Sequence, residues 1–178
     1  RGSVTFKPNP KKSLNFRAAG GYYYQPPFYR ELRDIDGKLH LGTKAQRSIQ
    51  GVLGADFTFL ALGREFKLTS EVFYKSLNQL IPYKIDNLRI RYLPNLMSKG
   101  YARGLDFRLF GEFVPGAESW ASLSILQTEE DVQGDYYYVR YNAAGEEIIP
   151  GFTFDNVAVD STRMEPGYIP RPADQRVS

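Results

Sequence analysis

Cysteine is absent from the 178-residue chain, and histidine occurs once, as His40. Without cysteine there are no disulfide bonds, thiolate metal sites or thiol nucleophiles. A serine–histidine–aspartate triad would have to form around His40, which lies in a loop-like stretch beside Asp34 and Asp36. That stretch resembles the start of a calcium loop, but the later ligands are missing and Asp36-Gly37 is a common turn signal. We therefore expect no enzyme activity, cofactor or metal site.

Long apolar runs and blocks of one charge are also missing. No stretch approaches the ~18–20 apolar residues of a membrane-spanning helix. The least charged stretch, 18–29, is interrupted by Pro26 and Pro27. The 23 basic residues are interspersed with 20 acidic ones, so no basic surface that follows a phosphate backbone is indicated. We expect no nucleic-acid partner, and we expect any membrane crossing to use strands.

The sequence is rich in aromatic residues, with 13 tyrosines and 12 phenylalanines, and its turn residues are regularly placed. Apolar and polar residues alternate with period two in residues 13–25, 48–62 and 66–83, which is typical of strands. A two-residue loop at Gly63-Arg64 predicts a hairpin that pairs Phe59 with Leu68. We expect an all-β, antiparallel fold.

Connection lengths follow a pattern along the chain. Short turns are predicted near residues 9–12, 63–64 and 114–118, and long connections at about 26–44, 84–98 and 129–170. This pattern places short turns on one rim and long loops on the other, as in outer-membrane barrels. The strands are also longer than the usual ~5–6 residues. A soluble β-sandwich has the same alternation and remains the alternative, as a secreted carbohydrate-binding module.

The two faces of these strands differ in charge. Charged residues in mid-strand fall on one face, as expected for the water-filled interior of a barrel. The opposite face is apolar, as expected for contact with lipid. Asp56, Glu71 and Glu112 are a conceivable acid and base set for glycoside hydrolysis, but we interpret them as solvated wall residues. The predicted lipid face consists of Leu14, Phe16, Ile49, Leu53, Phe57, Phe59, Leu68, Val72, Leu105, Phe107 and Leu109.

Several phrases of the sequence resemble the barrel of TonB-dependent outer-membrane receptors of the Bacteroidetes type. These are RGSVTFKPNPKKSLNFRAAGGYYYQPPFYREL, QGVLGADFTF followed by LTSEVFYKSLNQLIPY, SKGYARGLDFRLFGEF, and the terminal YIPRPADQRVS. Each phrase is degenerate alone, whereas their order and spacing are more specific. The last phrase resembles an element that begins a descending strand.

The resemblance implies a transmembrane β-barrel of 22 strands in the outer membrane of a Gram-negative bacterium. Residues 1–178 are then a partial barrel domain of six or seven strands within a longer protein, without the plug and the TonB box. The implied function is binding and import of a scarce solute such as a siderophore, oligosaccharide or peptide. The expected partners are outer-membrane lipid, that solute, TonB through parts outside this chain, and a surface lipoprotein as a further candidate.

Aromatic residues near the long loops are the candidates for solute binding. An interfacial aromatic girdle and ligand stacking are the two interpretations of such residues. The third long loop also predicts a hairpin of 136–141 against 147–154, and it combines tyrosines with acidic residues at 129–131 and 135. The candidate ligand-binding residues are Tyr23, Gln25, Phe28, Tyr29, Tyr136, Tyr137, Tyr138 and Tyr141.

Overall fold

The computed structural model describes residues 1–8 and 13–170, and this part of the chain is all-β with antiparallel pairing throughout. The predicted turn at 9–12 and the end of the terminal phrase, 171–178, lie outside the described residues. The strands are β1 (Gly2–Phe6), β2 (Leu14–Gln25), β3 (Gln46–Ala61), β4 (Arg64–Leu80), β5 (Tyr83–Asp86), β6 (Arg89–Tyr92), β7 (Ser98–Val114), β8 (Ala117–Val132), β9 (Tyr137–Tyr141), β10 (Asp160–Met164) and β11 (Ile169–Pro170).

One sheet contains most of the strands. Its order is β1-β2-β3-β4-β7-β8-β11, and β5–β6 and β9–β10 form two separate two-stranded ribbons. Within the described residues this sheet is open, with β1 at one edge. At the other edge, the short β11 pairs with only Glu129 and Glu130 of β8 and leaves the rest of β8 unpaired on that side. The prediction of an antiparallel all-β fold is confirmed at this level.

The β3–β4 hairpin corrects the predicted turn by one residue. Its central residues are Leu62 and Gly63, with φ values of 54° and 74°, and not Gly63 and Arg64. Positive φ at both positions is the mark of a type I′ turn, which matches the twist of the flanking strands and favours glycine second. Phe59 therefore pairs with Phe66 instead of Leu68. The shift is two residues along β4, so the division into faces is unchanged.

The predicted lipid-facing residues lie on a single face of the sheet, which we call the apolar face. Phe57 pairs with Leu68, which pairs with Leu109 on its other side. Leu53, Val72 and Leu105 pair in the same way. Side chains of directly paired residues point to the same side of a sheet. We call the opposite side, which carries Asp56 and Glu71, the polar face.

The two rims of the sheet differ as predicted. The β3–β4 and β7–β8 turns lie at one end, and the segments 26–45, 81–97 and 133–168 lie at the other. We call these the turn rim and the loop rim. The second segment contains the β5–β6 ribbon, and the third contains β9–β10.

The third long segment is shorter than predicted and folds differently. Glu129, Glu130 and Asp131 belong to β8 and pair with β7, so they are not loop residues. The turn at 142–145 forms, with Gly145 N donating to Asn142 O at 3.0 Å. However, β9 pairs with β10, at 160–164, whereas its contact with the predicted partner 147–154 is one bridge and one further backbone hydrogen bond. The segment 147–154 is closer to β9 along the chain than 160–164, and this proximity led to the wrong prediction of the partner.

Phe66, which is 4% exposed, is buried at the turn rim, but most of the buried side chains lie near the loop rim. Leu80, Ile81 and Val132 are nearly inaccessible there. In the described part of the chain no other element packs face to face on the large sheet, because all extensive contacts join neighbouring strands. Leu53 on the apolar face is accordingly 61% exposed and Ile125 57% exposed.

A close approach of backbone and side chains requires glycine at position 104. A Cβ added to Gly104 would lie 2.7 Å from Ile125 O and 2.7 Å from Phe73 Cζ. We expect Gly104→Ala to destabilise the protein by about 1–3 kcal/mol, because backbone and a ring must both move. Gly51→Ala is the matched control, since nothing lies within 4 Å of its Cβ position. Denaturant unfolding of the two variants measures the difference, and equal stability would contradict the packing.

Candidate functional site

The middle of the apolar face is free of charge over five adjacent strands. Arg103 and Glu129 lie on this face only at or beyond the level of Tyr74, toward the loop rim. No other described strand packs on this face, and Leu53, Leu123 and Ile125 are exposed. The residues of this apolar band are Leu14, Phe16, Ala18, Leu53, Ala55, Phe57, Leu68, Ser70, Val72, Leu105, Phe107, Leu109, Ala121, Leu123 and Ile125.

Aromatic residues border this apolar band at both ends. At the turn rim, Phe59 stacks on Phe66 with ring centroids 5.9 Å apart, and Phe113 meets Phe66 edge-on at 5.3 Å. At the loop rim, Tyr101 contacts Tyr74 at 6.2 Å and Tyr168 at 5.7 Å. Tyr22 and Tyr24 extend the loop-rim band and are 61% and 63% exposed. Tyrosine and tryptophan are enriched at both interfaces of membrane proteins.

The distance between the two aromatic bands fits a bilayer. From Phe66 to Tyr74, β4 extends roughly 27 Å, at about 3.4 Å a residue. At a strand tilt of about 40° this corresponds to a height of about 20 Å, which is close to the ~25 Å apolar band of outer-membrane barrels. The spacing of the bands therefore agrees with strands that cross lipid.

A polar network at the loop-rim band escaped prediction from the sequence. The Tyr101 hydroxyl donates to Glu129 Oε2 at 2.6 Å, and Gln127 Nε2 donates to Glu129 Oε1 at 2.7 Å. Arg103 donates through Nε and Nη2 to Gln127 Oε1, at 3.0 and 2.8 Å. Gln127 thus links Arg103 to Glu129 at the loop-rim end of the apolar face. The tyrosine spacing was visible in the sequence, but the β7–β8 register that joins these four residues was not.

The polar face carries an ion cluster at the level of the uncharged band. Arg17 lies 3.3 Å from Asp56 and 3.0 Å from Glu71, and the Thr69 hydroxyl donates to Asp56 Oδ1 at 2.7 Å. Lys67 Nζ is 3.9 Å from Asp56. The cluster borders an open, polar cavity of about 400 Å³. Such a surface requires water or a polar partner against it.

The carboxylates considered for glycoside hydrolysis all take part in ion pairs with arginine. Asp56 and Glu71 both contact Arg17, whereas Glu112 pairs with Arg64 at 3.6 Å near the turn rim. Glu71 does face Asp106 across β4 and β7, a like-charge pair next to Arg17. This arrangement is that of an ion network, in which each acid is tied to an arginine or lies beside one.

The first group of predicted ligand residues lies where β2 enters the loop rim. Tyr23 is on the polar face, with the Arg1 guanidinium 4.1 Å from its ring centre, and Gln25 pairs with Gln46 at the strand end. Phe28 and Tyr29 are each 63% exposed in the loop. Tyr23 thus already stacks on a cation.

The second group lies in the third long segment, away from the first. Tyr136 and Tyr138 meet edge-on at 5.6 Å, and the Arg163 guanidinium lies 4.1 Å from the Tyr136 ring centre. Tyr137 is also exposed, and Tyr141 is half-buried at the end of β9. β2 and β8 are separated by β3, β4 and β7, so at about 4.8 Å a strand their axes lie roughly 19 Å apart. The described sheet therefore does not unite the two groups in one site.

The turn predicted at residues 34–37 is present. Asp34 Oδ1 accepts hydrogen bonds from the amides of Asp36 at 3.0 Å and Lys38 at 2.8 Å, and Asp34 Oδ2 lies 2.7 Å from His40 Nε2. The hydrogen bond from His40 is the main reason that the pKa of Asp34 is lowered. His40 is therefore a structural partner of the turn.

Two further absences concern the described residues. In that part of the chain, no group of three or more histidine, cysteine or acidic side chains is placed to hold a metal ion. Among the same residues, no helix has the length and apolar character needed to span a bilayer.

Comparison with known proteins identified no relative. No family model, no curated protein and no solved structure matches the chain.

Proposed function

We propose that the chain is part of a transmembrane β-barrel in the outer membrane of a Gram-negative bacterium, in a receptor that imports a scarce solute. The observation that carries the proposal is the uncharged apolar band bordered by two aromatic bands, on strands of 12 to 17 residues. Lipid would cover such a face without a second protein layer, which supports the proposal.

The polar face supports the other half of the proposal. Arg17, Asp56 and Glu71 lie at the same level as the uncharged band but on the opposite side of the sheet. A wall with lipid on one side and a water-filled or plugged lumen on the other has this composition. The resemblance to TonB-dependent receptors extends the proposal to a 22-stranded barrel, with a plug and a TonB box outside this chain.

The uncovered apolar face also argues against the alternative. A β-sandwich needs a second sheet about 10 Å from the first, with the two apolar faces in contact. Within the described residues the two ribbons stay at the loop rim and do not cover Leu53 or Val72. No observation favours the carbohydrate-binding sandwich module.

In the proposed receptor, the loop rim faces the exterior and offers the solute-binding groups. Short turns face the periplasm in outer-membrane barrels, and long loops face outward. The aromatic residues of the loop rim, including Tyr29 and Tyr137, would then face the solute, and a surface lipoprotein would also meet this rim.

Fractionation of cells that produce the full-length protein tests the proposal. We expect the protein in the outer-membrane fraction, extracted by detergent and not by high salt or alkaline carbonate. Lipid contact over the apolar band is the physical reason, since salt weakens ionic attachment but leaves buried apolar area in place.

Gel filtration completes this test. A full-length protein that remained folded and monomeric in buffer without detergent would contradict the membrane assignment. Recovery with the soluble fraction would do the same.

A further inference from the structure

A cleft lies at the loop rim between the segment after β2 and the β5–β6 ribbon. Its volume is about 280 Å³, and its walls include Tyr29, Arg30, Arg33 and Asp34 from the first segment and Arg91 and Tyr92 from β6. Of the predicted ligand residues, Tyr29 alone lines it. Its three guanidinium groups were not among the sequence-based candidates.

Two of the three guanidinium groups have no carboxylate partner. Arg91 pairs with Asp86 at 2.9 Å, whereas neither Arg30 nor Arg33 forms an ion pair in the part of the chain that the structure describes. Each lies instead by an aromatic ring. The Arg30 guanidinium is 5.6 Å from the Tyr92 ring centre, and Arg33 donates to the Tyr29 hydroxyl at 3.2 Å.

The nearby carboxylates of Asp34 and Glu31 accept hydrogen bonds from groups other than Arg30 and Arg33. Asp34 accepts hydrogen bonds from two amides of its own turn, and its second oxygen contacts His40. Glu31 is 6% exposed, and its Oε2 accepts hydrogen bonds from the Phe28 amide at 2.9 Å and from Gln46 Nε2 at 3.3 Å. Asp34 lines the cleft and offsets part of its positive charge, but neither acid forms an ion pair with Arg30 or Arg33, and the lining carries three guanidinium groups and one carboxylate.

Backbone hydrogen bonds hold both walls of the cleft in place. Arg33 pairs with Leu39 in an antiparallel bridge, which holds its backbone. The ribbon is closed at its base by the hydrogen bond from Leu93 N to Pro82 O at 2.9 Å, and Pro82 is buried. The arginines therefore extend from ordered backbone, which reduces the entropy lost when a ligand binds.

We propose that this cleft binds an oxyanion group of the solute, a carboxylate or a phosphate, with Arg30 and Arg33 as its main donors. Guanidinium groups match the geometry of both oxyanions with paired N–H donors. Tyr29 and Tyr92 add flat faces beside the charges, which favours a planar or aromatic acid. The inference rests on the proposed function in one respect, that the solute approaches the loop rim, and it names the solute's chemical class.

Binding to the purified full-length protein tests the assignment. Benzoate is titrated by nuclear magnetic resonance, with benzamide as an uncharged molecule of nearly the same shape. We expect benzoate to bind at least about tenfold more tightly, since charge-assisted hydrogen bonds are stronger than neutral ones. Inorganic pyrophosphate, titrated in parallel, distinguishes phosphate from carboxylate as the preferred group.

Matched double variants locate the binding. We expect Arg30→Gln with Arg33→Gln to weaken binding of the preferred anion by about tenfold or more. Lys84→Gln with Arg89→Gln removes the same charge from the adjacent ribbon, outside the cleft, and is expected to change binding less than about twofold. Arg30→Lys with Arg33→Lys keeps the charge but loses the paired donors, so we expect intermediate binding. Circular dichroism checks the fold of each variant.

Three results would overturn the proposal. They are binding of benzamide as tight as that of the preferred anion, equal losses in the two glutamine double variants, and binding of neither benzoate nor pyrophosphate. If the Arg30→Gln, Arg33→Gln variant does not fold, unchanged binding in the lysine pair would also overturn it. Because binding is measured on purified protein, the result is independent of cellular location and uptake, and failure of this proposal can be told from failure of the proposed function.

Discussion

Arginine at position 72 is expected to destabilise the full-length protein by about 2–4 kcal/mol in lipid or detergent, because it would place a charge near the bilayer midplane. Val72 lies in the middle of the uncharged band, between Leu53 and Leu105, and is 44% exposed. In the proposed barrel this exposure is to hydrocarbon. Urea-induced unfolding in lipid vesicles measures the change.

Ser124→Arg is the matched control for Val72→Arg. Ser124 pairs with Asp106, which pairs with Glu71, so it lies one residue from the level of Val72 but on the polar face. We expect a change below about 1 kcal/mol there, since the new charge meets water and two acids. Equal costs at the two positions would contradict the assignment of faces.

The second large effect concerns residues 1–178 as an isolated polypeptide, which we expect not to fold cooperatively in water. Apart from Glu129 and Glu130, the outer edge of β8 has no strand partner among the described residues, and Leu123 is 60% exposed. Unpaired strand edges and uncovered apolar faces promote association between chains. Neither lipid nor the rest of a barrel would be present to cover them.

Thermal scans by circular dichroism and the dispersion of amide resonances measure this outcome. The full-length protein in detergent is the control, and it is expected to give a single sharp transition. A dispersed spectrum together with a cooperative transition from a monomer of residues 1–178 in water would disprove the expectation.

Strand identity and face followed from the sequence because period-two alternation is a local property. Leu53, Asp56 and Glu71 were assigned to the faces on which they lie, and the two rims followed from the connection lengths. The β3–β4 turn was misplaced by one residue, because its first central residue is Leu62, and a non-glycine residue rarely has the positive φ that this position requires. The pairing shifted by two residues along β4, so each side chain stayed on its predicted face.

The candidate site was less predictable. Tyr29 was selected, but Arg30 and Arg33 were not, since their lack of acidic partners depends on where Asp34, Glu31 and Asp86 turn. These contacts join residues in different loops, and no periodic pattern records them.

The sequence by itself determined the all-β class, the alternation of apolar and polar faces, and the division into a turn rim and a loop rim. The tertiary structure decided the partner of β9, the Tyr101–Glu129 network and the cleft between the loop after β2 and the β5–β6 ribbon. The physical reason is that alternation and turn chemistry act over a few neighbouring residues, whereas strand pairing and ion pairing select among partners that are distant in the chain.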